Sequence, residues 1–250
     1  MGPIFGTNMV RVAKILRDLV YPPTCAGCRR SIALHGGLCA NCWSSIPFIE
    51  KPFCDVLGSP FSHDPGAGIL SAEAIANPPV FDRLRCVALH DGIARDLVHQ
   101  LKYQDRTDLA PIMARWMLRA ASTEIEVCDA IVAVPLHRSR LVSRRFNQSA
   151  ELARHLAQLS GKPFLAHALV RTKRTNRQVG LTATARKTNV RGAFAIAKGH
   201  EDQVFGRRLI LVDDVYTTGA TATAATRALK RAGAGDITVL AFAMALATPI

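Results

Sequence analysis

With 250 residues, 49% of them hydrophobic, the chain is long enough for one ordinary domain plus a small module and too apolar to be disordered. Its 6% aromatic content argues against a protein built on base stacking, and no run of about 18 uncharged apolar residues offers a membrane span. The net charge is +13, and residues 138–191 carry +12 of it, with 13 Lys and Arg against Glu151 alone, so the excess marks one segment for an anionic partner.

At the N-terminus "MVRVAKILRDLVYPP" mixes apolar residues with Arg11, Lys14, Arg17 and Asp18. A secretory h-region needs an unbroken apolar stretch, so the spacing over 9–20 predicts a short amphipathic helix instead. The expected compartment is the cytoplasm, without membrane insertion, where cysteines favour metal over disulfide. Next, Cys25-Ala-Gly-Cys28 and Cys39-Ala-Asn-Cys42 form C-x2-C-x10-C-x2-C. Each close pair chelates one metal, and two pairs complete a closed tetrahedral site, which predicts structural Zn²⁺ on Cys25, Cys28, Cys39 and Cys42. Four reduced core cysteines are the alternative, and a redox C-x2-C pair is disfavoured because neither pair opens a helix after a strand. Residues 1–56 are read as this helix and zinc module. Residues 57–80, rich in Gly, Pro, Ser and Ala, are read as a linker.

From residue 81 onward strands and helices alternate. "RLRCVALH" predicts a strand, and 91–101 and 109–120 predict helices. "CDAIVAVPLH" is an apolar strand that stops at Pro135. A helix over 147–159 ends at Gly161. "RRLILVDDV" is a strand, 219–232 a helix closed by Gly233, and "DITVLAFAMA" a last buried strand. Continuous apolar strands between helices imply an α/β fold, a parallel sheet covered on both faces.

In such folds ligands sit at the carboxyl ends of strands, and Asp213 and Asp214 lie at such an end. Thr217-Thr218-Gly219-Ala220-Thr221 then leads into a helix, whose free N–H groups and partial positive charge suit a phosphate. The carboxylates would repel that phosphate on contact. They suit hydrogen bonds from a vicinal diol, or assistance to a Mg²⁺ through water. Diol plus phosphate at this spacing describes a ribose 5-phosphate. The string "VDDVYTTGAT" resembles the 5-phosphoribosyl-1-pyrophosphate (PRPP) signature of type I phosphoribosyltransferases. It is not a Walker A motif, because no Gly-Lys-Ser/Thr follows.

Four strings occur in order: "LVHQLKYQDRTDLA", "VPLHRSRLVSRRFNQSAELA", "RTKRTNRQVGLTATARKTNVRGAF" and "LILVDDVYTTGAT". With the N-terminal cysteines, they resemble the ComF family, competence-associated phosphoribosyltransferase-like proteins of bacteria, over nearly the whole chain. The resemblance implies a type I phosphoribosyltransferase-like domain over 81–250. Asp213 and Asp214 would meet the ribose hydroxyls, and Thr217, Thr218, Gly219, Ala220 and Thr221 the 5-phosphate. His137, Arg138, Arg140, Arg144 and Arg145 are candidates for the pyrophosphate loop, and 171–191 stands where a mobile loop closes over PRPP. Mg²⁺ would accompany PRPP. The partners it implies are PRPP, single-stranded DNA and competence proteins. The function it implies is phosphoribosyl transfer to an unnamed acceptor in a process of DNA uptake. A PRPP-sensing regulator without turnover, or a DNA-binding accessory module, is the alternative. No carboxylate stands out as a general base.

The chain departs from the family pattern at two places. Arg145 stands where the family commonly has Gly before Phe-Asn-Gln. Leu57 stands where a second C-x2-C-G-x-P would place a cysteine, so a second zinc site is expected to be lost with Cys54 left over. His99, Lys102 and Tyr103 share one helical stretch, and there helix packing competes with a functional role.

Overall fold

The computed structural model describes residues 18, 20–33, 35–66, 68–137, 146–173 and 192–246. The chain divides into two compact units, 1–45 and 46–250. The sequence places that boundary near residue 56. The structure moves it forward because 47–56 is hydrogen-bonded to the larger unit's own sheet, as described below.

In the first unit a bridge between Thr24 and Ser31 closes a tight loop. Inside it the Cys25 N–H donates to Arg30 O at 2.8 Å and the Arg29 N–H to Cys25 O at 2.9 Å. Arg29 takes a left-handed φ of 61°. Cys39 then starts a short helix, α1 (Ala40–Ser44), and Cys42 is its buried residue.

The second unit opens on a copy of this arrangement. Phe53 bridges Pro60. The Cys54 N–H donates to Ser59 O at 2.8 Å and the Gly58 N–H to Cys54 O at 2.7 Å. Gly58 has φ 60°, and a Cβ there would lie 2.5 Å from Leu84 O, so only glycine fits. Ser71 caps another short helix, α2 (Ala72–Ala76), whose buried residue is Ala74. The Ser71 N–H donates to Cys54 Sγ at 3.2 Å, as the Cys39 N–H donates to Cys25 Sγ at 3.2 Å. Leu57, Ser71 and Ala74 therefore occupy the places of Cys28, Cys39 and Cys42. The stretch 57–80, whose composition reads as a linker, holds the second half of this metal-free ribbon.

What holds that ribbon is the sheet. Strand β1 (Arg83–Leu89) lies at one edge, and Leu84, Ile49 and Leu89 form main-chain bonds between it and 47–56, with Leu84 N–H to Val56 O at 2.7 Å. Arg85, 6% exposed, reaches Asp55 O at 2.9 Å, Glu124 Oε1 at 2.8 Å and the Phe53 ring at 5.0 Å. Removing one partner of a buried pair strands the other charge, at a cost of about 3–5 kcal/mol. Arg85→Met is therefore expected to lower the melting temperature by roughly 10 °C, at about 2–4 °C per kcal/mol for a unit of this size. Differential scanning calorimetry checks it, and Arg85→Met with Glu124→Gln should recover part of the loss.

The remaining helices and strands are α3 (Gly92–Tyr103), α4 (Ala110–Ala120), α5 (Ser122–Val127), β2 (Ala130–Ala133), α6 (Gln148–Ser160), β3 (Leu169–Arg171), β4 (Phe194–Ile196), β5 (Leu209–Tyr216), α7 (Ala220–Arg231) and β6 (Ile237–Met244), of which α5, β3 and β4 are additions to the elements the sequence predicts. The main sheet has the order β1-β6-β5-β2 and all its pairs are parallel, while β3 and β4 form a small antiparallel pair. Every residue of β6 is buried, and apart from Thr238 its sequence is apolar, as a strand covered on both faces requires. Asp91 caps α3 by accepting from the Gly92 N–H at 2.8 Å, and Gly161, at φ 70°, ends α6 in the left-handed conformation that glycine takes without strain. Beyond β2, the Ile131 N–H donates to Pro163 O and the Leu165 N–H to Ile131 O. Among the described residues no helix is long and apolar enough to cross a membrane.

Candidate functional site

In the first unit the Sγ atoms of Cys25, Cys28, Cys39 and Cys42 all lie within 4.8 Å of one another, with Cys28 and Cys39 at 3.6 Å. A tetrahedron with metal–sulfur bonds of about 2.3 Å has edges of about 3.8 Å, so the cluster is the right size. Burial raises the Cys25 thiol, but N–H donors from Cys28, Cys39 and Gly27 outweigh it and bring Cys25 down to about 6. Burial and the surrounding sulfurs push Cys42 up to about 12, since four thiolates this close do not ionise together without a cation. The donor set is soft, closed and four-coordinate, which fits a structural Zn²⁺ on the four predicted cysteines. Among the described residues this is the only such group of three or more ligand-type side chains, and Cys54 has none of its own.

The second constellation lies at the carboxyl end of β5. Asp213 is half-buried and Asp214 buried. Ser149 Oγ, from the first turn of α6, donates to Asp213 Oδ1 at 2.9 Å, and the Asp214 N–H donates to the same oxygen at 2.9 Å. Lys102 Nζ, from the last turn of α3, lies 2.7 Å from Asp214 Oδ2. The chain then turns through Tyr216, Thr217 and Thr218 into α7, whose N-cap is Gly219. Gly219 has φ 68°, and the Tyr216 ring occupies the space a Cβ would need. A side chain here is disfavoured by backbone strain, and it would also have to displace the Tyr216 ring. α7 begins at Ala220, and the first amides of a helix point out of its N-terminal end.

The predicted acid pair and the predicted Thr217–Thr221 loop are thus contiguous, and the carboxyl end of β2 lies alongside. There the chain continues through Val134 to His137, which is half-buried. Asn147 Nδ2 donates to Val134 O at 3.0 Å and ties the start of α6 to that strand end. Arg138, Arg140, Arg144 and Arg145 lie outside the described residues, as do 174–191 and most of the predicted helix over 9–20. Sequence reasoning missed Ser149. It sits in "FNQSAELA" with no mark linking it to an acid 64 positions later. For Lys102 the sequence leaves helix packing and function in competition, and the structure puts its charge on Asp214.

Residues 16–74 match the Double zinc ribbon domain model. The DNA utilization protein YhgH of Escherichia coli strain K12 is 34% identical over 227 residues, covering 88% of this chain and 96% of that protein. Competence protein F of Haemophilus influenzae is 27% identical over the same shares. This chain belongs to the ComF family. Its double ribbon is present in the backbone of both knuckles, and a complete cysteine set in one. Among solved structures, the allosteric regulatory enzyme of purine biosynthesis aligns with 58% of this ComF chain at 19% identity and a TM-score of 0.39. The glutamine PRPP amidotransferase of B. subtilis aligns with 57% at 19% identity and a TM-score of 0.36. This chain spans 30% of each, and at that likeness neither carries an argument about function.

The acid pair gives this ComF protein a pH signature. Burial, then the Asp214 charge, push Asp213 up to about 7 against the pull of Lys102. In an unfolded chain an Asp titrates near about 4. Between those values the folded protein holds a proton that the unfolded chain has lost, so this carboxyl's contribution to stability falls as pH rises through the window. Asp213→Asn is expected to melt higher than the parent at pH 8, with the gap closing toward pH 4. Thermal melts of both proteins across that range check the sign.

Proposed function

We propose that this protein binds PRPP at the carboxyl end of β5. The diol of the ribose is met by Asp213 and Asp214, and the 5-phosphate by the Thr217–Thr221 loop at the start of α7. The observation that carries this reading is the adjacency of two held carboxylates and a helix N-terminus opened by Gly219. A diol donates to carboxylates, and a phosphate accepts from helix amides. PRPP arrives as its Mg²⁺ complex, and the basic segment 138–191 supplies cations toward the pyrophosphate. Phosphoribosyl transfer needs mainly positioning and charge stabilisation, which accords with the lack of an evident general base. The names of the relatives support a role in DNA uptake or utilisation, and the proposed compartment is the cytoplasm.

Calorimetric titration of the zinc-loaded protein with PRPP and Mg²⁺ tests the binding step. Saturable one-site binding supports it, and an absence of heat across millimolar PRPP overturns it. Pyrophosphate release on adding candidate nucleobase acceptors tests turnover; binding without release in any acceptor leaves a PRPP sensor. The concentration of +12 in residues 138–191 favours a second reading, contact with the backbone of single-stranded DNA. Steeply salt-dependent binding of an oligonucleotide that PRPP does not displace supports that reading.

A further inference from the structure

Adjacent residues of a strand point to opposite sides, so Asp213 and Asp214 do not present themselves together by backbone geometry alone. Each is held by a different helix. Ser149 from α6 and the Asp214 amide both take Oδ1 of Asp213, each at 2.9 Å. Lys102 from α3 takes Oδ2 of Asp214 at 2.7 Å. Among the described residues that leaves Oδ2 of Asp213 and Oδ1 of Asp214, one oxygen on each carboxylate. Both holding side chains are well covered: Ser149 is 5% exposed, and the Lys102 side chain 22%. Neither belongs to the strand–loop–helix string that defines the phosphate loop, and they come from elements 47 residues apart in sequence.

Building on the proposed diol site, we propose that Lys102 and Ser149 are positioning residues that fix the two carboxylates so that their remaining oxygens meet the 2- and 3-hydroxyls of a ribose together. The pair thereby sets selectivity for ribose over 2-deoxyribose. A sugar that lacks one hydroxyl leaves one oriented carboxylate oxygen without its donor. When the carboxylates are free to rotate, that oxygen turns to water or to a neighbour and the penalty shrinks. The phosphate loop contributes equally to both sugars, so the affinity ratio isolates the effect of the acids.

The test uses ribose 5-phosphate and 2-deoxyribose 5-phosphate as probes on the full chain. The parent is expected to prefer the ribose form by about 10- to 100-fold, the worth of one hydrogen bond to a charged group. Lys102→Met and Ser149→Ala should each bring the ratio below about 3-fold, and Lys102→Arg should largely restore it. Should Lys102→Met melt early, Ser149→Ala and Lys102→Arg carry the test, since one deletes a small hydroxyl and the other keeps the charge. Weaker binding of both sugars with the ratio preserved means a general electrostatic role and overturns the proposal. A parent that binds both sugars equally overturns it while leaving the phosphate loop standing. A parent that binds neither removes the diol reading itself, and the positioning role with it.

Discussion

Asp213→Asn and Asp214→Asn are each expected to weaken PRPP binding by about 3- to 15-fold, and the double variant to lose saturable binding. A hydrogen bond from a hydroxyl to a carboxylate is worth about 1.5–3 kcal/mol, roughly twice a neutral one, and the amide keeps only the neutral share. The substitution also leaves Lys102 facing an uncharged partner in a covered site, so Asp214→Asn should be the costlier of the two for folding. Calorimetry beside a zinc assay reads both effects. Zinc content is expected to stay at the parent level in all three variants, because the four cysteines lie in the other unit. A double variant that still binds PRPP with the parent's affinity would remove the acids from the site.

Stripping the metal has a different target. A chelator, or Cys42→Ser, is expected to unfold residues 20–45 and to leave the second ribbon intact. Structural zinc is worth about 10–16 kcal/mol to modules of this kind at neutral pH, far more than so few apolar side chains supply. The second ribbon has the same knuckle without the metal. Its tie is to the sheet: main-chain bonds to β1 and the Arg85 guanidinium spanning Asp55 and Glu124. Limited proteolysis of the metal-free protein should therefore cut ahead of residue 46 and spare 46–76. Cuts spread through 53–74 would show that the two ribbons share one stabilising device.

Much of the larger unit was legible because its strands are predominantly apolar runs and its helices carry explicit stops. Pro135, Gly161 and Gly233 each end an element near where the pattern predicts. The four-cysteine centre was legible because chelation imposes a spacing on the sequence itself. The second ribbon showed only its first knuckle, through the family pattern around Cys54, since Leu57, Ser71 and Ala74 erase the spacing while hydrogen bonds such as Ser71 N–H to Cys54 Sγ preserve the shape. Composition saw only Gly, Pro and Ser, which turns and linkers share. At the acid pair, the string around Asp213 announced a site, but its supports did not announce themselves. Ser149 and Lys102 reach it through tertiary packing, and no local pattern records which helix end meets which strand end.

The main-chain bonds along the sheet's two outer strands carry one more consequence. β1 is covered by 47–56, and β2 is followed in parallel by 163–165. An exposed outer strand is a template on which another chain can extend the sheet, and proteins guard against it. Here both borders are already taken by the protein's own backbone. Growth of the sheet by a second copy or by an extended peptide is closed on either side. A partner that extended this sheet would first have to displace one of those two segments.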